Sequence, residues 1–145
     1  MYYTANELYR PSYLSLESAL SRYGFIPEGV FRIISCTTLK TCIFETPVGI
    51  FGYHHLKANM FFGYRLESWG DHHYTIAEPE KTLIDYLYLH PEIKRLEDFR
   101  SLRWNVLTIK EQISMEKLSS YESYIASSAL SKRLSVLKEF LNVKT

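Results

Sequence analysis

The sequence predicts an α+β fold: a mostly antiparallel sheet of about five strands packed with a short N-terminal helix, a central helix and a C-terminal helical hairpin. Two observations carry that prediction. Between residues 30 and 76, β-branched and aromatic residues gather in short runs bounded by Pro, Gly or polar turn residues. On either side of that region the apolar residues recur instead at helical spacing. The strands follow one another through short turns rather than alternating with helices, which argues against a doubly wound fold. A chain of 145 residues suits one domain with an ordinary core.

Residues 1–11 show no clear period and end at Pro11, so they read as a lead-in, with Leu8-Tyr9-Arg10-Pro11 extended because the residue before proline avoids the α region. Ser15 then offers an N-cap oxygen, Glu17 a first-turn acid, and Leu16, Ala19, Leu20 and Tyr23 fall at i, i+3, i+4 and i+7. Gly24 supplies the left-handed C-cap. After the turn cluster 25–29, strands are expected at 30–36, 42–45, 49–56, 64–67 and 73–76, with hairpin loops at 37–40 and 69–72.

The central helix is announced by Pro79, whose fixed φ and missing N–H suit a first turn. Glu78 and Glu80 flank that turn, where carboxylates meet the positive end of the helix dipole. Leu83, Ile84, Leu87 and Tyr88 supply an apolar face, and His90-Pro91 ends the helix. A short charged helix follows at 96–102, anchored by Phe99 and Leu102, while 104–109 stay unassigned. Residues 114–125 and 128–141 form the helical hairpin, with Leu130, Leu134, Leu137 and Leu141 on one face. No internal repeat or low-complexity segment is present.

Composition narrows the function classes. Hydrophobic residues make up 46% and charged residues 23%, as in ordinary globular domains, while 12 Tyr in a 15% aromatic fraction suit either strand surfaces or a contact face. A net charge of +1 supplies no overall field for a polyanion. From 128 onward, however, Lys132, Arg133, Lys138 and Lys144 face a single acid, Glu139. Cys36 and Cys42 fall on consecutive predicted strands where they can face each other across a hairpin, and they are expected to be reduced. No apolar run is long enough to cross a bilayer, and the first residues lack the basic and apolar regions of a signal peptide, so a cytoplasmic protein is expected.

Catalytic signatures are missing. His54-His55 and His72-His73 are adjacent pairs, and strand neighbours point to opposite faces, so neither pair chelates one metal. Asp85 lies five positions past Glu80, off its helical face, and Glu78 is better explained by the helix start than by acid–base chemistry. Neither cysteine has a sequence partner that would activate it. There is no Gly-rich phosphate loop, Cys-x-x-Cys, His-Glu-x-x-His or Gly-x-Ser-x-Gly.

Four ordered blocks nevertheless carry a resemblance: Tyr9-Arg10-Pro11-Ser12-Tyr13-Leu14-Ser15-Leu16-Glu17-Ser18-Ala19-Leu20, Gly24-Phe25-Ile26-Pro27-Glu28, Gly49-Ile50-Phe51-Gly52-Tyr53, and Ile76-Ala77-Glu78-Pro79-Glu80-Lys81-Thr82-Leu83-Ile84-Asp85. Across residues 9–141 the chain resembles the C-terminal domain of AbiEi-type antitoxins, bacterial transcriptional regulators of type IV toxin–antitoxin, or abortive infection, systems of phage defence. The resemblance implies a non-catalytic antitoxin domain without cofactor or metal that counteracts a nucleotidyltransferase-like toxin. Its N-terminal winged-helix partner, which binds the operator in the family, is expected to be absent from residues 1–145, so DNA contact is expected only through that missing part. The family motif residues Ser15, Glu17, Gly24, Glu78, Pro79, Glu80 and Asp85 look structural. The aromatic-rich surface and the basic last helix are the expected contact regions. Residual partner or nucleic-acid contact falls to Arg22, Arg32, Lys132, Arg133 and Lys138. The competing expectation is a small metal-dependent nuclease-like enzyme in which Glu78, Glu80, Lys81 and Asp85 hold a divalent ion.

Overall fold

The structure, a computed structural model, describes residues 2–27, 29 and 31–143. Its β-rich middle forms one sheet, of six strands and mixed direction: β1 (Ser12–Leu14), β2 (Arg32–Thr37), β3 (Cys42–Thr46), β4 (Gly49–His55), β5 (Tyr64–Trp69) and β6 (His72–Ala77). They lie in the order β3-β4-β2-β1-β6-β5. Around them run α1 (Tyr2–Leu8), α2 (Leu16–Arg22), α3 (Pro79–Leu89), α4 (Leu96–Ser101), α5 (Val106–Gln112), α6 (Met115–Ile125) and α7 (Ser128–Val143). The α+β class stands, whereas the expected five mostly antiparallel strands give way to six, with β2 parallel to β4 and β1 parallel to β6.

The hairpin expected at 37–40 does not form. β4 inserts between β2 and β3, which places its fully buried Phe51 and Tyr53 in the interior and leaves the half-exposed β3 at the edge. That insertion also separates the cysteines. Cys42 sits opposite Tyr53 and Cys36 opposite Tyr13 and His54, so they lie two strands apart on opposite faces, both as free thiols. The hairpin at 69–72 does form, with Trp69 opposite His72.

The lead-in is ordered. Residues 2–8 are helical, and α1 is pinned by buried Ala5, whose carbonyl accepts a hydrogen bond from the Tyr53 hydroxyl. With Ala5 as its one fully buried residue, α1 has no apolar stripe for a periodicity argument to find. β1 is three residues long, buried throughout, and squeezed between β2 and β6; it owes its state to those neighbours. The strand expected from residue 30 begins at Arg32, residues 28 and 30 lying outside the described set. The unassigned stretch becomes α5, capped by the Asn105 side chain accepting from the Thr108 N–H at 3.1 Å.

Local signals were read correctly elsewhere. Gly24 takes φ +77° after α2, where its N–H donates to the Ser21 carbonyl and Phe25 N–H to that of Leu20, a complete Schellman end. Pro79 opens α3, and Leu130, Leu134, Leu137 and Leu141 of α7 are all buried. The hub is α3, with the sheet on one side and α2, α6 and α7 packed around it. Among the described residues no helix is long and apolar enough to cross a membrane.

Candidate functional site

Because α3 is enclosed on nearly every side, its charged residues are buried with its apolar ones. Eight of its eleven residues are buried, among them Glu80, Lys81 and Asp85. Lys81 and Asp85 stand one turn apart, both 0% exposed, with Nζ and Oδ1 separated by 2.6 Å. The remaining Lys81 donors go to the Met60 carbonyl at 2.6 Å and the Tyr13 hydroxyl at 2.9 Å. The second Asp85 oxygen accepts from Tyr13 at 2.7 Å and from Ser15 at 2.8 Å, with the Cys36 sulfur 3.9 Å away. The Lys81 ammonium also lies 4.6 Å from the Phe62 ring centre and 5.3 Å from that of Tyr13.

This cluster joins β1, β2, the turn before β5, and α3. Gly63 fits it tightly: at φ +74° it passes so close to Lys81 that an added Cβ would sit 3.0 Å from Lys81 Cγ. Phe61 and Tyr64 close the outside, their rings packed on Tyr13 at 5.0 and 4.9 Å. Burial, and then the Asp85 charge, push the Tyr13 phenol and the Cys36 thiol well above their ordinary values. Both therefore stay protonated at neutral pH, which silences Cys36 as a nucleophile. With every donor of Lys81 matched and both side chains 0% exposed, the arrangement acts as a polar clasp.

The motif residues fall into distinct places. Ser15 stands at the N-cap of α2 without capping it, because its hydroxyl is spent on Asp85, which corrects the expected cap. Glu17 lies half-buried in the first turn of α2. Glu78 at the N-cap of α3 turns to α6, pairing with Lys117 at 3.2 Å and accepting the Tyr121 hydroxyl; burial and then Glu78 push that phenol up to about 12. Glu80, 3% exposed, accepts the Ser114 N–H at 2.7 Å through Oε2, while its Oε1 has no partner among the described residues. Glu80 thus anchors the start of α6 rather than the dipole of its own helix. The three carboxylates of the 78–85 cluster part toward three different neighbours. Among the described residues no group of three or more His, Cys, Asp or Glu is placed to share an ion.

The basic residues are mostly engaged internally. Arg22 pairs with Glu67 at 3.2 Å, Arg133 donates to the Leu87 carbonyl at 3.1 Å, and Lys138 pairs with Glu122 at 3.1 Å. Arg32 and Lys132 are exposed, on β2 and α7 respectively, and Lys144 lies outside the described residues. Three of the four paired histidines are tied to other partners: His55 to the Leu39 carbonyl, His73 to Ser68, and His72 stacked on Tyr3.

Sequence reasoning passes over Tyr13 and treats Cys36 only as an unactivated thiol, not as a member of this cluster. The available signal was a lysine and an aspartate at i and i+4 inside the apolar run of Leu83, Ile84 and Leu87. On the outside, a cavity of about 490 Å³ lies between Tyr2, Tyr3, Arg22, Trp69 and Tyr74, giving the β5–β6 end of the molecule an aromatic surface. No protein-family model, curated protein or solved structure matches the chain.

Proposed function

We propose that this chain is a non-catalytic antitoxin-like domain of a bacterial type IV toxin–antitoxin system, acting in the cytoplasm against a nucleotidyltransferase-like toxin. The observation that carries the reading is the meeting of the first and last resemblance blocks. Tyr13 and Ser15 from one, with Lys81 and Asp85 from the other, form an enclosed and mutually satisfied cluster. Residues so used build a scaffold and leave the work to the outer surface, where Trp69, Tyr124 and Leu66 are exposed. Autoregulation through an operator belongs, in this reading, to a separate winged-helix domain.

The nuclease-like alternative gains nothing from Glu78, Glu80, Lys81 and Asp85, since they diverge and two of them neutralise each other. The decisive experiment is co-expression with a nucleotidyltransferase-like toxin encoded beside this gene. Restored growth, retained by variants conservative at Glu78 and Glu80, is the expected result. Failure to protect against the neighbouring toxin, or Mg²⁺-dependent turnover of nucleic acid lost on Glu78→Gln, overturns the proposal.

A further inference from the structure

Among the described residues β5 closes one side of the sheet and pairs with β6 alone. Edge strands offer unpaired N–H and C=O groups, and proteins commonly protect them with charged side chains, lysine above all, or with proline, a bulge or a covering segment. β5 has neither lysine nor proline, its two charges Arg65 and Glu67 are opposite in sign and paired to each other, it keeps unbroken register with β6 over all its residues, and it exposes Tyr64 (40%), Leu66 (65%) and Trp69 (67%). At the opposite edge, Phe44 of β3 is packed against Tyr9, whose hydroxyl donates to the Lys40 carbonyl at 3.1 Å.

The two-residue loop between β5 and β6 makes Trp69 and His72 the loop-closing hydrogen-bonded pair. Alternation then assigns the bonds to β6 to Arg65, Glu67 and Trp69, so the backbone groups of Tyr64, Leu66 and Ser68 point away from the sheet. We infer that two copies of this chain join β5 to β5, antiparallel, about a two-fold axis at Leu66. The inference stands apart from the antitoxin reading. In this register Leu66 faces the partner's Leu66, Tyr64 faces the partner's Ser68, and every outward backbone group meets its complement. Arg65 faces the partner's Glu67, and Glu67 faces the partner's Arg65.

Neighbouring registers fail on charge or geometry. An axis at Arg65 or at Glu67 sets like charges directly opposite each other, which is destabilising. A shift that moves the axis between residues brings outward-pointing groups against inward-pointing ones and puts Leu66 against a charge. The charges at this edge also favour the pairing. Glu67 already holds both Arg65, at 2.9 Å, and Arg22, at 3.2 Å, so two guanidiniums share one carboxylate. Pairing sets each Arg65, whose side chain is 45% exposed, between two carboxylates. The result is an isologous contact with one sheet running through both copies.

A strand-edge contact is small among specific interfaces, so association depends on concentration. Sedimentation velocity of the full chain from about 5 to about 500 μM, spanning micromolar affinities, is expected to show monomer passing to dimer. Leu66→Lys, at an exposed position, is expected to abolish the dimer while leaving the circular-dichroism melt unchanged. Leu66→Cys in a Cys42→Ser background is expected to cross-link on mild oxidation, since Cα atoms of such a pair stand about 5.5 Å apart, within disulfide reach. A monomer throughout, a dimer that survives Leu66→Lys, or a dimer without the cross-link overturns the inference. A monomer that loses toxin neutralisation on Leu66→Lys likewise overturns it, and gives the edge to the toxin instead.

Discussion

Two lysine–carboxylate pairs are rooted in α3, and they differ in nearly everything but chemistry. Lys81 and Asp85 meet at 2.6 Å with both side chains 0% exposed; Glu78 and Lys117 meet at 3.2 Å with 18% and 42% exposure. In the interior both ions have lost water, and the pair is sustainable only because the Met60 carbonyl, Tyr13 and Ser15 fill the remaining hydrogen-bonding positions. At the surface, water competes for both groups and the long lysine chain loses rotamer freedom when it is fixed. The difference teaches that in this protein burial, not proximity, decides which charges shape the fold.

The sharpest way to break that comparison is Asp85→Ala, which strands the Lys81 ammonium in the interior. It is expected to cost about 3–5 kcal/mol, seen as a fall in the urea midpoint at constant slope. A loss below about 1 kcal/mol would put the two pairs on equal footing. Combining Lys81→Met with Asp85→Leu is expected to recover only part of that loss: the uncompensated charge is removed, but the Tyr13 and Ser15 hydroxyls and the Met60 carbonyl lose their partners.

Tyr13→Phe comes next. It takes one donor from Asp85 and one acceptor from Lys81, and about 2–3 kcal/mol should go with them in the same measurement. An unchanged midpoint would leave the phenol outside the network. For the surface pair, Lys117→Ala is expected to cost under about 1 kcal/mol. That cost should shrink further in high salt, so a salt-insensitive loss would contradict a solvent-screened pair.

The smallest effect is expected at Glu67, on the sheet surface. Burial raises its carboxyl, but hydrogen bonds from Tyr74 and Arg65 and the charges of Arg22 and Arg65 outweigh burial and hold it below its ordinary value of 4.5. Because the folded value is depressed, its stabilisation is complete above the unfolded value and disappears as pH falls through the folded one. Glu67→Gln should therefore lose a little stability at neutral pH, where the carboxylate's contribution is complete, and converge on the parent as pH falls, which flattens the acid limb. An unaltered acid limb would show that Glu67 contributes nothing there.

How legible each part was follows the range of the interactions involved. The start of α3 at Pro79, the end of α2 at Gly24 and the leucine face of α7 were visible because the causes lie within a few residues of the effect. β1 was not, being held by β2 and β6 and too short to show alternation. The candidate site was half visible. Asp85 does lie off the face of Glu80, but reading Glu78 and Glu80 as first-turn acids of their own helix left out the burial of the charged residues of α3. In a helix enclosed by the sheet, α6 and α7, Glu80, Lys81 and Asp85 had nowhere to face but inward.

By itself the sequence determined the α+β class, the helix ends set by proline and glycine, the β5–β6 hairpin and the apolar stripe of the last helix. Each of these rests on local backbone preference or on side-chain period. The tertiary structure alone decided that β4 lies between β2 and β3, that the cysteines face apart, and that Lys81 and Asp85 close a clasp with Tyr13 and Ser15. Strand order and charge burial are settled by which distant segments best fill the interior, and that competition leaves no mark within any short stretch of chain.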